Sequence, residues 1–165
     1  MSVSLVIATY NHARFLGEAL DSAVAQTLEG VEVVVVDDGS TDDTEAVLAR
    51  YGGRLRVIRQ PNRGLAAARN TGLAAARGTY VSFLDADDVL MPTKLAEQAA
   101  ILDRAPTVGW TYCDVLIETT ATGAEMRASE RFGYGVRMLE GWLFPELIHG
   151  NFIPAIGRAS CRERV

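Results

Sequence analysis

The chain has 165 residues, 48% of them hydrophobic, enough for one domain with a sizeable core. Its 21 acidic and 16 basic residues leave a formal charge of −5, which argues against a nucleic-acid partner gripped by a basic face. No apolar run approaches a membrane span, the amino terminus carries no signal-peptide pattern, and Cys113 and Cys161 have no metal or redox spacing, so a cytoplasmic domain is expected.

In chain order, the β-rich run at 3–8 ends in Thr9-Tyr10-Asn11. Phe15, Leu16, Ala19, Leu20, Ala23 and Val24 then recur at helical spacing, predicting a helix over about 13–26. A second strand at 31–36 runs into Asp37-Asp38-Gly39-Ser40, and Ser40 or Thr41 is placed to cap a short helix ending near Arg50. A third strand is expected at 55–58. After the break at Pro61-Asn62-Arg63-Gly64, an alanine-rich helix over 65–76 is expected to lie close against a flat partner, with Gly78 as its carboxyl cap. The run Tyr80-Val81-Ser82-Phe83-Leu84 predicts a buried strand ending in Asp85-Ala86-Asp87-Asp88, followed by a helix over 92–104 and a fifth strand within 108–118. Thr119 to Gly123 reads as a hairpin turn, and 138–149 as a helix despite Pro145. Cys113 is expected in the core. Alternating strands and helices of these lengths predict an α/β fold with a mostly parallel sheet and right-handed crossovers.

Ligands of open parallel sheets gather outside the carboxyl ends of the strands. Three such ends here are polar: Thr9-Tyr10-Asn11, Asp37-Asp38 and Asp85-Ala86-Asp87-Asp88. Close carboxylates repel, and a divalent cation with oxygen ligands, Mg²⁺ or Mn²⁺, would relieve that repulsion. The same residues also suit structural ends, since acids favour helix amino termini and Asp-Asp-Gly-Ser favours a turn. No GxGxxG follows the first strand and no GxxxxGK[ST] occurs, which disfavours dinucleotide-binding and phosphate-loop sites. His12 and His149 have no companions at metal spacing, and Asp103 and Asp114 read as surface or cap acids.

Four motifs occur in order: Ile7-Ala8-Thr9-Tyr10-Asn11, Val35-Val36-Asp37-Asp38-Gly39-Ser40-Thr41-Asp42, Asn62-Arg63-Gly64-Leu65-Ala66-Ala67-Ala68-Arg69-Asn70-Thr71-Gly72 and Phe83-Leu84-Asp85-Ala86-Asp87-Asp88. Together they resemble family 2 glycosyltransferases, inverting enzymes of the GT-A fold that use nucleotide-sugar donors. The resemblance departs at Ala8, where the family often has proline. It implies that Thr9 and Tyr10 line the nucleotide pocket and that Asp38, beside Asp37, reads a uracil-type base or the ribose. It further implies that Arg69 contacts the nucleotide and its acidic neighbours. By the same resemblance Asp85 and Asp87 look like the family's DxD pair, which implies Asp87 as the principal metal contact and Asp85 on the ribose or a metal-bound water. Taken singly, Arg69 also fits a solvated helix residue or a structural partner for an acid, and Tyr10 a core-edge aromatic with its hydroxyl in water.

The implied reaction is transfer of a sugar from a UDP- or dTDP-type donor to an acceptor hydroxyl with inversion, assisted by Mg²⁺ or Mn²⁺. The acceptor is a glycan, a lipid-linked glycan or a protein, with a membrane-proximal position open to it. The family's general base is an Asp or Glu downstream of the DxD pair, and no such motif is found here. The expectation is therefore a GT-A domain over 1–157, cut short before its acceptor half, with an atypical tail over 158–165. One rival is a fragment that binds nucleotide sugar without turnover. A second, a sugar-phosphate nucleotidyltransferase, would need a glycine-rich basic loop after the first strand, which is absent.

Overall fold

The computed structural model describes residues 2–119, 124–127 and 159–161. Strand β1 (Val3–Thr9) is followed by α1 (Ala13–Val24), β2 (Glu32–Asp37), α2 (Thr44–Ala49), β3 (Leu55–Arg59), α3 (Leu65–Ala75), β4 (Tyr80–Asp85) and α4 (Lys94–Arg104). The last described strands are β5 (Trp110–Thr111), β6 (Leu116–Thr119), β7 (Ala124–Arg127) and β8 (Ala159–Cys161). Six strands form one sheet in the order β3-β2-β1-β4-β8-β5. The first four are parallel, so each return crosses the sheet through a helix, as the alternation of patterns predicts.

Every residue of β1 is buried, as a central parallel strand covered on both faces requires. One face of the sheet carries Leu5, Ile7, Val33, Val35 and Leu84 and packs on Leu16, Leu20, Leu95 and Leu102 of α1 and α4. The other carries Val6, Val34, Val36 and Val81 and receives α3 through Ala68, Leu73, Ala75 and Ala76. Small residues let α3 approach closely: a Cβ on Gly72 would sit 2.3 Å from Val6 Cγ1. The expectation that the alanine-rich helix lies flat on the sheet therefore holds.

Several local expectations change. Helix α2 starts at Thr44, because the Asp42 carboxylate accepts from the Thr44 amide (3.1 Å) and hydroxyl (2.5 Å) and forms the turn that Ser40 or Thr41 was expected to cap. Gly78 is not the carboxyl cap of α3, a place taken by Ala76 in an extended conformation. It is needed because β1 passes so near, with the Ser4 nitrogen 2.5 Å from where a Cβ would lie. The single fifth strand splits: β5 covers Trp110–Thr111, and 116–119 instead pairs antiparallel with 124–127. The predicted hairpin is thus present, although residues 120–123 at its turn lie outside the described residues, as do the helix expected at 138–149 and His149. Of the expected atypical tail, residues 159–161 pair antiparallel with both β4 and β5, which their composition gave no reason to expect. No helix among the described residues is long and apolar enough to cross a membrane.

Candidate functional site

The parallel register gathers the polar strand ends. Thr9 pairs with Asp37, Asp37 with Arg59, and Ala8 with Asp85, so the ends of β1, β2 and β4 finish at one edge of the sheet. Thr9 is buried, and its hydroxyl has no hydrogen-bond partner among the described residues. Tyr10, the next residue, is 45% exposed at that edge.

Asn11 follows in a left-handed conformation (φ 54°), which asparagine tolerates better than most residues. Its Oδ1 accepts from the Thr41 amide at 2.7 Å and the Asp42 amide at 3.3 Å, while its own amide donates to Ser40 Oγ at 3.0 Å. The Asp42 carboxylate answers by accepting from the Ala13 amide at 3.0 Å. These bonds latch the loop after β1, which carries Tyr10, to the loop after β2, which follows Asp37 and Asp38.

Asp37 and Asp38 are both buried. The Asp37 carboxylate closes its own turn by accepting from the Ser40 amide at 2.9 Å. That of Asp38 accepts from Gln60 Nε2 at 2.6 Å, the Arg63 amide at 3.0 Å and the Gly64 amide at 2.8 Å. Burial alone would raise the Asp38 pKa, but these hydrogen bonds and the Arg63 charge outweigh it and hold the carboxyl below the usual range. Asp38 thereby ties the loop that leads into α3. Gly39, at φ 81°, lets that loop pass, with the Asn62 nitrogen 2.9 Å from where a Cβ would be. Gln60 continues the chain of contacts by accepting from the Thr71 hydroxyl of α3 at 2.6 Å.

Helix α3 in turn delivers Arg69, whose guanidinium pairs with the Asp85 carboxylate at the end of β4. Asp87 is exposed and Asp88 partly buried, its amide donating to the Asp85 carbonyl at 3.1 Å. Burial, then the charges of Asp87 and Asp85, push Asp88 up to about 6. Among the described residues no three His, Cys, Asp or Glu side chains are gathered closely enough to hold a metal alone. Such a cage is not required of Mg²⁺ or Mn²⁺ working on phosphates, which is held by one or two carboxylates together with the phosphate oxygens. An exposed Asp87 beside an Asp85 already held by Arg69 fits that donor set.

A family model described as glycosyl transferase family 2 matches residues 4–153. The chain belongs to glycosyltransferase family 2. This family 2 domain is 41% identical over 162 residues to an uncharacterized glycosyltransferase of Rickettsia prowazekii (strain Madrid E), covering 93% of this chain and 50% of the relative. It spans half or less of the length of the curated relatives it matches. Among solved structures it is similar to S. aureus TarS, residues 1–349, at 26% identity and a TM-score of 0.67, with 98% of this chain and 47% of that one covered. TarS is also solved in complex with UDP-GlcNAc, where the identity is 25% and the TM-score 0.65 over 98% of this chain and 46% of that one. The mannosyltransferase PcManGT from Pyrobaculum calidifontis, solved with GDP-Man and Mn²⁺, matches at 28% identity and a TM-score of 0.60, over 79% of this chain and 46% of that one. The domain has the GT-A fold.

The structure of the family 2 domain thus brings Thr9, Tyr10, Asp37, Asp38, Arg69, Asp85 and Asp87 to one sheet edge. Sequence reasoning missed the Asn11 latch and the Asp38–Gln60–Thr71 chain, whose hydrogen bonds depend on loop geometry. It also missed Lys94, which is buried on α4 with Leu95, Gln98, Ala99 and Leu102. A lysine directly before the helical-spaced apolar positions Leu95, Ala99 and Leu102 was the available signal. The His12 carbonyl accepts from the Phe15 and Leu16 amides in the first turn of α1. Asp103 accepts from the Tyr80 hydroxyl at 2.5 Å, and Asp114 pairs with Arg127 at 3.9 Å. Cys113 is half-buried beside a cavity, not in the core.

Proposed function

We propose that this domain binds a nucleotide-diphosphate sugar across the ends of β1, β2 and β4 and takes part in transfer of the sugar, with inversion, to an acceptor hydroxyl. The observation that carries the reading is the meeting of three polar strand ends at one edge, latched by Asn11 and tied to α3 by Asp38. The donor is of the UDP or dTDP type, a reading supported by the likeness to TarS, which is solved with UDP-GlcNAc. Thr9, Tyr10, Asp37 and Asp38 form the base and ribose side. Arg69 holds Asp85 in place and offers its remaining N–H groups to the nucleotide.

Asp87, with Asp85, would hold Mg²⁺ or Mn²⁺, consistent with the Mn²⁺ in the PcManGT complex. When bound, the cation supplies Lewis-acid stabilisation of the charge that develops on the departing diphosphate. Inversion also needs a base on the acceptor face, and we assign no described residue to it. The acceptor is a glycan, lipid-linked glycan or protein, and the site of action is cytoplasmic, at or near the inner face of a membrane.

Calorimetric titration of UDP into the full chain, with and without Mn²⁺, tests the donor site. Binding that requires Mn²⁺ and is lost in Asp87→Ala is the expected result. A folded chain that binds no nucleoside diphosphate in either condition would overturn the reading.

A further inference from the structure

Charge is spread unevenly along this acidic chain. Residues 46–84 hold seven arginines and no lysine, aspartate or glutamate, so all 21 acids lie outside that stretch. It covers the end of α2, strand β3 and helix α3. Strand β3 is the outer strand of the sheet, bonded on one side to β2. Folding therefore gathers the arginines along one edge of the sheet and around the helix that covers the adjoining face.

Three of them are engaged. Arg56 pairs with Glu32 at 3.4 Å, Arg59 with Glu45 at 2.7 Å, and Arg69 with Asp85. The other four, Arg50, Arg54, Arg63 and Arg77, are exposed and pair with no carboxylate among the described residues. Two of these bracket α3: Arg63 precedes its amino end and Arg77 follows its carboxyl end. At the carboxyl end Glu32 accepts from the Arg77 amide at 2.9 Å and from the Arg56 guanidinium at 3.4 Å, so one acid faces two cations.

The outward side of a surface helix is ordinarily charged. That of α3 is not. Leu65 is 53% exposed, Ala66, Asn70 and Ala74 are exposed with it, and the one charged residue of the helix, Arg69, is turned to Asp85. A nucleic acid or an acidic peptide would engage the arginines and leave these residues uncovered. A bilayer with anionic headgroups engages both: guanidinium groups meet the phosphates, their stems lie along the interface, and an apolar side chain enters between headgroups. The formal charge of −5 does not prevent this, because at physiological salt charges beyond about 8 Å are largely screened. Glu18, Asp21, Glu97 and Asp103 sit on α1 and α4, across the sheet from α3.

We propose that the outer side of α3, bracketed by Arg63 and Arg77 and continued by the β3 edge, is a docking surface for an anionic lipid membrane, with Leu65 entering the headgroup layer. Asp38 holds the amino end of α3 at the carboxyl edge of the sheet, so a docked membrane borders the donor site. Only the use of that position, to present a lipid-linked acceptor, rests on the transfer reading above; membrane binding itself stands apart from it.

The test is co-sedimentation of the full chain with vesicles of phosphatidylcholine, alone or with about one-third phosphatidylglycerol, alongside UDP calorimetry in Mn²⁺. Binding to the anionic vesicles should be at least about tenfold firmer and should weaken as salt rises. Arg63→Gln combined with Arg77→Gln should lower it about tenfold or more, and neither side chain makes a hydrogen bond or ion pair among the described residues that the fold would lose. Arg14→Gln with Arg104→Gln removes the same charge across the sheet and should change binding less than about twofold. Leu65→Ser should lower it at least about threefold. Equal losses from the two arginine pairs, or no effect of Leu65→Ser, would overturn the surface. So would firmer binding to a single-stranded RNA or a polyglutamate peptide than to anionic vesicles. Vesicle binding without UDP binding would sink the donor reading and leave the surface standing, whereas UDP binding without vesicle binding would overturn the surface alone.

Discussion

Asn11 shows how much of the site rests on one side chain that touches no reacting atom. Its left-handed backbone turns Oδ1 toward the Thr41 and Asp42 amides, and that ties the loop carrying Tyr10 to the loop that follows Asp37 and Asp38. Asn11→Gly keeps the conformation accessible but removes the acceptor. UDP affinity is expected to fall about tenfold, with a loss of stability of only about 1 kcal/mol, because the freed amides reach water. Asn11→Asp restores an acceptor at the same place and should recover most of the affinity; calorimetry and thermal melts read both. Asp38 behaves differently. Its buried carboxylate meets three donors, so Asp38→Asn turns an amide toward N–H groups and is expected to cost about 2–4 kcal/mol, read from urea unfolding. At this scale the sequence was informative about residue types and silent about partners. Aspartates at strand ends announce themselves by composition, whereas Gln60 acquires a role only when folding sets it between Asp38 and Thr71.

Helix α3 is the element that joins the two halves of the site, since its amino end is held by Asp38 and its body carries Arg69 to Asp85. Its height above the sheet is set by Gly72. Gly72→Ala places a methyl 2.3 Å from Val6 Cγ1 and 3.3 Å from Val36 Cγ2, so the helix must lift or the valines must move. A destabilisation of about 1–3 kcal/mol is expected, with weaker nucleotide binding as Arg69 shifts. Combining it with Val6→Ala opens the space, and the double variant should be more stable than the sum of the single losses predicts; a purely additive result would argue against this contact as the cause. Elements with a clear period were legible in the sequence: α1, α4 and the four parallel strands fall within a few residues of their expected bounds. Those without one were not. Trp110 to Ile117 has the composition of one strand, but the chain leaves the six-stranded sheet after Thr111, and residues 116–119 pair instead with 124–127 in a sheet of their own, a choice made by pairing partners that composition does not reveal.

At the scale of the molecule, Lys94 and Tyr51, both buried, are among the described groups that shape its response to alkaline pH. Lys94 is held near 8 by burial against the usual 10.5, so between those values the unfolded chain keeps a proton that the folded one has lost. Stability therefore rises with pH across that window, and below it the folded state bears the full cost of the buried charge, about 3 kcal/mol. Tyr51 opposes this from pH 10 upward. Burial, and then Asp21, push its hydroxyl up to about 12, so the unfolded chain ionises first and stability falls. Urea midpoints measured from pH 7 to 11 should rise and then drop, and Lys94→Met should flatten the rise while leaving the drop.

The parallel sheet also acts as a ruler. Strands β2 and β4 are separated by β1, and two interstrand spacings amount to about 10 Å between the Asp37 end and the Asp85 end. A bare phosphate or a lone base cannot touch both ends, whereas a nucleoside diphosphate can. Cutting that ligand in two should therefore cost more than either half retains: uridine and pyrophosphate supplied together ought to compete poorly against UDP, because only a covalent link lets the second contact form at no further loss of translational freedom. A mixture that matched UDP would mean that the two strand ends bind independently and that their fixed separation has no bearing on recognition.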